Sequence, residues 1–208
     1  MNTHGFTVKN GQLQIGSFNV SDIAKKYGTP LYLMDEARIR KQMRIFKNTF
    51  KHDLVKTAVC YASKAFLCKA MAKVTDEEGL YIDTVSGGEL YTVLEAGFNP
   101  DHIVYHGNNK THEEIEYGIA SKVGFFVIDN IEEIDQVEKT LNGRNINVLL
   151  RVNPGVEAKT HKYIQTTTLD SKFGLSLNEE STTNVIKRLI DNPHVNFKGL
   201  HAHIGSQI

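Results

Sequence analysis

The sequence predicts an α/β protein: a partial (β/α)8 TIM-type barrel with about six of its eight strands, preceded by short strands of a second, β-rich domain. Three observations predict it. From Leu31 onward, short apolar bursts alternate with longer amphipathic segments, the pattern of strand-helix units around a parallel sheet. Several bursts are apolar on both faces, as strands covered by helices outside and packed inside a barrel must be. The 208 residues, 40% hydrophobic and 23% charged, have the composition of a globular protein that buries a substantial core.

Taken in order, residues 6–8 and 13–15 read as short alternating strands within polar, Gly-punctuated sequence. These runs suggest strands of something other than the main body, whose pattern starts after them. A helix over 36–50 precedes the first burst. Bursts at 58–62, 80–85, 102–105, 125–128, 148–152 and 197–204 predict six strands, and the segments 65–74, 87–96, 112–120, 131–141 and 179–190 predict helices between them. A complete barrel needs eight strands and typically ~250 residues. The sequence stops after the sixth burst with nothing to cover that strand, so a barrel truncated after strand six is expected. The alternative is a complete open sheet of six strands.

Twenty-four basic residues balance twenty-four acidic ones. No overall field draws such a chain to nucleic acid or to an anionic membrane, and a small neutral or zwitterionic partner fits better. The first residues lack a basic region followed by an apolar run, and no later stretch approaches the roughly 20 apolar residues that span a bilayer. A cytoplasmic protein is expected. Cys60 and Cys68 lack CxxC spacing and read as reduced, packed thiols.

In parallel α/β folds, functional groups collect at the C-terminal ends of strands. The first burst ends in Tyr61-Ala62-Ser63-Lys64. A strand-end lysine is most often a solvated cation, but one with an apolar approach can be desolvated enough to supply a neutral nucleophile. The second burst runs into Asp83-Thr84-Val85-Ser86-Gly87-Gly88-Glu89. Ser86 reads as an N-cap whose following amides are free for an anion, or as an ordinary helix start with Glu89 completing a capping box. The third ends in Tyr105-His106-Gly107-Asn108-Asn109-Lys110, whose residue types also have turn-forming reasons to be there. Arg151, set within Leu149-Leu150-Arg151-Val152, needs an acceptor, either a cofactor oxygen or a carboxylate. In the sixth burst His201 and His203 share a strand face. The pair invites a zinc reading but has no positioned third ligand; the other reading packs an imidazole against a flat aromatic ligand, with Gly205-Ser206 suited to a phosphate oxygen.

Together and in this order, these segments, with Asn153-Pro154-Gly155 and Ser171-Lys172-Phe173-Gly174-Leu175, resemble the diaminopimelate decarboxylase family, within the wider group of alanine-racemase-like, fold-type III enzymes that use pyridoxal 5'-phosphate. The resemblance runs from about Gly28 to the last residue. It implies decarboxylation of meso-2,6-diaminopimelate to L-lysine and CO2, the last step of lysine biosynthesis. Lys64 matches the lysine that carries the cofactor covalently, His203 the histidine that stacks on its pyridine ring, and Ser206 the serine at its phosphate. Arg151 corresponds to the strand arginine near the phenolic oxygen and Asp83 to the strand-end acid beside the lysine. The roles of Ser86 and Asn108 stay open.

The same resemblance implies that residues 1–27 contribute strands to an incomplete β domain and residues 28–208 form the barrel, and it implies a homodimer with a small amino-acid substrate and no nucleic-acid or membrane partner. It also implies parts that this sequence lacks: a Gly-rich phosphate loop, a Glu-Pro-Gly-Arg segment bearing the acid for the pyridine nitrogen, and a Cys-containing loop from the partner subunit. Activity of the 208 residues alone is therefore not expected. Thr166-Thr167-Thr168-Leu169 departs from the family pattern, and Ala202 stands where cysteine is common. Rival readings are an arginine- or ornithine-type decarboxylase of the same group, an alanine racemase, and a pyridoxal-phosphate-binding barrel without decarboxylase activity.

Overall fold

Asn10-Gly11 makes the first hairpin possible. β1 (Phe6–Lys9) pairs antiparallel with β2 (Gln12–Ile15), Lys9 facing Gln12, so only two residues close the loop, with φ of 51° and 71°. Asn and Gly tolerate positive φ, and such a loop matches the twist of the strands it joins. β3 (Phe18–Asn19) completes the three-stranded sheet in the order β1-β2-β3. The computed structural model describes residues 5–155, 173–177 and 180–204. The chain divides into two units, Met1–Val59 and Cys60–Ile208.

In the first unit, α1 (Val20–Tyr27) starts where Asn19 Oδ1 accepts from the Ser21 amide at 2.9 Å and stops at Gly28, whose φ is 84°. The sequence does not announce this helix, because eight residues are shorter than the window over which helical periodicity is read. α2 (Glu36–Thr49) fills the segment expected at 36–50, with Asp35 Oδ1 accepting from the Arg38 amide at 3.0 Å.

The second unit follows the predicted alternation: β4 (Cys60–Ala62), α3 (Lys69–Glu77), β5 (Tyr81–Thr84), α4 (Gly87–Glu95), β6 (Ile103–Tyr105), α5 (His112–Ala120), β7 (Phe125–Ile128), α6 (Ile131–Leu141), β8 (Ile146–Asn153), the two-residue β9 (Leu175–Ser176), α7 (Glu180–Asp191) and β10 (Val195–His201). The sheet runs β4-β5-β6-β7-β8-β10 with every pairing parallel, and β9 adds to the end of β8. This is the partial (β/α)8-type barrel expected, with six of its strands in chain order.

Boundaries shift by a few residues, most at α3 and at the end of β10. The helix expected from residue 65 begins only at Lys69, because Ser63–Ala65 form a tight 3-10 turn and Phe66 returns to extended backbone (φ −167°, ψ 122°). The last strand, expected to reach 204, ends at His201.

The core lies between sheet and helices. Ile82, Ile103, Phe126, Ile128, Val148 and Leu150 from the strands meet Leu90, Val93, Ile115, Ile134 and Leu189 from the helices, all fully or almost fully buried. At ~25 cal/mol per Å2, each such side chain contributes about 1.5–3 kcal/mol over its exposed state. Gly118 in α5 sits so close to the sheet that a Cβ there would lie 2.6 Å from the Tyr105 ring. That absence lets Tyr105 pack edge-on against Phe126, centroids 5.5 Å apart. Both cysteines are free as expected, although Cys60 is exposed rather than packed.

Candidate active site

Parallel register brings the strand ends to one edge of the sheet. Ala62 lies opposite Asp83, Thr84 opposite Tyr105, Ile128 opposite Leu150, and Arg151 opposite His201. The residues that follow these positions therefore share one rim, which is where Lys64, Asp83, Arg151 and His203 are found.

Lys64 is the middle residue of the turn Ser63–Ala65, and side chains from the end of β5 and the start of α4 hold that turn. The Ser63 amide donates to Asp83 Oδ1 at 2.9 Å, and its hydroxyl donates to Glu89 Oε2 at 3.0 Å. The same Glu89 oxygen accepts from the Val85 amide at 2.7 Å. Ser63 is buried while Lys64 is exposed, so the turn is anchored from below and the amine projects from it. Among the described residues, Lys64 Nζ has no hydrogen-bond or ion-pair partner.

The Ser86 segment resolves largely toward its plainer reading. Ser86 Oγ caps the Glu89 amide at 3.3 Å, but Glu89 returns to Val85 and Ser63 instead of closing a box on Ser86. The Gly87 amide is not free for an external anion. It donates to Glu114 Oε1 at 2.7 Å, and the other Glu114 oxygen closes the capping box of α5 with Thr111.

Asp83 is engaged on both oxygens. His106, one residue past β6, places Nε2 3.0 Å from Asp83 Oδ2. A carboxylate only accepts, so His106 carries its proton on Nε2. The His106 ring lies against His201, centroids 5.5 Å apart and planes tilted by 36°. Burial, then the charges of His106, Arg151 and His203, push the His201 imidazole down to about 4. His201 Nδ1 is buried and without a partner among the described residues. Burial first, and then the Lys64 ammonium, also lowers His203. Lys64, Asp83, His106, His201 and His203 thus form one cluster at the ends of β4, β5, β6 and β10.

Arg151 finds its acceptor in a carboxylate. Its Nη1 donates to Asp129 Oδ1 at 2.7 Å, and the guanidinium lies over the Phe173 ring, 4.6 Å from the centroid. Asp129 also accepts from the Gly174 amide at 3.2 Å. The Asp129 amide donates in turn to Glu133 Oε2 at 2.9 Å, and Glu133 Oε1 accepts from Lys110 Nζ at 2.5 Å. Lys110 donates as well to the carbonyls of Gly107 and Val127, at 2.8 and 2.9 Å. Burial pulls the Lys110 ammonium down and pushes the Glu133 carboxyl up, each opposed by the charge of the other.

Ser206 lies outside the described residues, as do Gly205, Ser171, Lys172 and residues 166–169. The sequence analysis does not single out Asp129 or Glu133. The signal for Asp129 was available, since it directly follows the burst at 125–128, the one strand end whose residues read as purely apolar. Glu133 sits four residues later on α6 and has no signature apart from that geometry. No three His, Cys, Asp or Glu side chains among the described residues are grouped to hold a metal.

Residues 36–208 match the model of the pyridoxal-dependent decarboxylase, pyridoxal binding domain. The chain belongs to this family. Among members of the pyridoxal-dependent decarboxylase family, it is 48% identical over 200 residues to a diaminopimelate decarboxylase of Staphylococcus aureus (strain COL), covering 96% of this chain and 47% of that protein. It is 46% identical over 209 residues to the diaminopimelate decarboxylase of Bacillus subtilis (strain 168), covering 99% and 48%. A solved diaminopimelate decarboxylase from M. jannaschii superposes with a TM-score of 0.87 at 35% identity, covering 99% of this chain and 49% of that one. The chain spans about half the length of the relatives it matches.

Proposed function

We propose that this chain is the cofactor-binding part of a decarboxylase that converts meso-2,6-diaminopimelate to L-lysine and CO2, with pyridoxal 5'-phosphate held on Lys64. The observation that carries the reading is a single rim holding an unpartnered primary amine beside a lowered imidazole, in a chain 46–48% identical to diaminopimelate decarboxylases along nearly its whole length. The donor set fits a pyridoxal group. Lys64 supplies an amine anchored through Ser63, His203 a neutral flat ring next to it, and His201 a buried Nδ1 without a partner among the described residues. Ser206 is assigned to the phosphate and Arg151 to the polar edge of the ring.

When bound, the cofactor supplies an electron sink for the pair left behind as the substrate carboxylate departs as CO2. The chain's own residues seat and protonate. Lys64, tethered through Ser63 and without a partner at Nζ among the described residues, would hold the group covalently and could move a proton at the reacting carbon. The Asp83 carboxylate, held by the Ser63 amide and His106, fixes the turn that carries that amine. His203, lowered by burial and by the Lys64 charge, would offer a neutral face to the ring.

We assign residues 1–27 to a second, β domain and residues 28–208 to the barrel, and infer a cytoplasmic homodimer when the protein is whole. No helix among the described residues is long and apolar enough to cross a membrane. The test is to load the full-length protein with pyridoxal phosphate, reduce with borohydride and map the label. Label on Lys64, with CO2 released from diaminopimelate in preference to ornithine or arginine, is the expected result. Label on another lysine overturns the site, and preference for ornithine or arginine overturns the substrate.

A further inference from the structure

We propose that His106 is a positioning residue for Lys64, acting through Asp83. The inference rests on the assignment of Lys64 as the cofactor lysine and adds a residue from a different strand to the machinery around it. Asp83 is the only side chain among the described residues that holds the Ser63 amide, which is one peptide away from Lys64. A carboxylate held by one donor can rotate about its terminal torsion; held by two on opposite oxygens, it cannot. His106 supplies the second donor, Nε2–H to Oδ2 at 3.0 Å, with its side chain 13% exposed and that of Asp83 19%. Shielding of this kind makes a hydrogen bond to a charged acceptor stronger than the same pair in water.

His106 is itself fixed. Its amide donates to the Thr84 carbonyl at 2.8 Å, extending the β5–β6 pairing by one residue, and its ring rests against His201. The orientation of the lysine turn is therefore set across three strand ends: β6 holds the imidazole, the imidazole fixes the carboxylate of β5, and the carboxylate fixes the turn after β4. Glu89 holds the same turn through the Ser63 hydroxyl, so loss of His106 loosens the turn without releasing it.

The experiment compares His106→Leu, which removes the donor, with His106→Gln, whose side-chain amide places N–H near the position of Nε2. In the full-length apoprotein, the rate at which the Lys64 amine condenses with the aldehyde of added pyridoxal phosphate, releasing water, is read by borohydride trapping and peptide mapping. Capture by His106→Leu should be slower by on the order of tenfold, the size of one hydrogen bond to a charged group. His106→Gln should recover most of the rate, and both variants should keep the thermal unfolding midpoint of the unsubstituted protein to within a few degrees. Unchanged capture in His106→Leu overturns the proposal. So does a loss that Gln fails to rescue, or one that tracks the unfolding midpoint. If the unsubstituted protein itself takes no label on Lys64, the assignment of the lysine falls first and the role of His106 with it.

Discussion

The two halves of the functional rim handle buried charge in opposite ways. At the ends of β7 and β8, Lys110, Glu133, Asp129 and Arg151 form a closed chain in which cations face carboxylates and the remaining contacts go to backbone groups. At the ends of β4 and β10 groups are left over: among the described residues the Lys64 amine projects without a partner, and His201 Nδ1 is buried without one. Buried polar groups are normally satisfied, so an unmet one beside a free amine marks where a ligand completes the set. On the proposed assignment the closed sector, apart from Arg151 at the ring's polar edge, is scaffold and the open one is chemistry, a difference that substitutions can break or sharpen.

Removing the free group should have the largest functional effect and the smallest structural one. Lys64→Ala is expected to abolish both borohydride-stable labelling by pyridoxal phosphate and turnover in the full-length protein. Because the side chain is exposed, the unfolding free energy should move by no more than about 0.5 kcal/mol. A variant that still retains the label would put the chemistry on another lysine.

In the closed sector the order reverses. The side chains of Lys110 and Glu133 are 1% and 5% exposed, so Lys110→Met strands a carboxylate in the core. Breaking a buried pair this way costs about 3–5 kcal/mol. Chemical denaturation of Lys110→Met and of the double variant Lys110→Met/Glu133→Leu checks it. The double variant should recover part of the loss, because the groups then left unmet, the Asp129 amide and the Gly107 and Val127 carbonyls, are uncharged. A single variant as stable as the parent would show that the network carries no such strain.

His201 connects the two sectors, and its effect is smaller and depends on pH. The folded imidazole sits at about 4, against 6.5 in its ordinary environment. Between those values the unfolded chain takes up a proton at this residue that the folded chain refuses. The stabilising contribution is thus complete above about pH 6.5 and lost as pH falls toward 4. For a half-buried group screened by solvent this amounts to about 1–2 kcal/mol. Unfolding measured from pH 7 to pH 4.5 should fall less steeply in His201→Gln than in the parent, and equal slopes would remove His201 from the account.

The closed sector was also the harder one to read from sequence. The six strands and the helices at 112–120 and 131–141 were legible because long, periodic apolar segments fix them. Arg151 stood out by itself, because an arginine inside an apolar strand needs an acceptor, whereas Lys64 and Asp83 were singled out only by the ordered set of strand-end segments that carries the resemblance. The partners Glu133 and Asp129 were not, since an acid on the first turn of a helix or just after a strand is commonplace and only the fold brings it to Lys110 or Arg151. His106 lay within a block whose Asn and Gly already had turn-forming reasons to be present, and its bond to Asp83 spans 23 residues. The exposed Lys64 turn shows the converse. Its lysine was visible, but the 3-10 geometry that presents it depends on Ser63 reaching both Asp83 and Glu89, which no local pattern encodes.

The smallest effect separates pairing from burial. Arg188 on α7 reaches Asp135 and Glu138 on α6 and holds as many carboxylates as any cation in the closed sector, yet it is 40% exposed. Water already solvates these charges, and ordering three long side chains offsets most of the Coulomb gain. Arg188→Ala should therefore lower the unfolding free energy by no more than about 1 kcal/mol, and the difference should shrink further when salt is raised well above 0.15 M. Lys110→Met, measured in the same buffers, should keep its several-kcal/mol deficit, because salt does not reach a pair that is 1% and 5% exposed. If the two variants responded to salt alike, or if Arg188→Ala were the costlier, the contrast would lie in the number of contacts and not in desolvation.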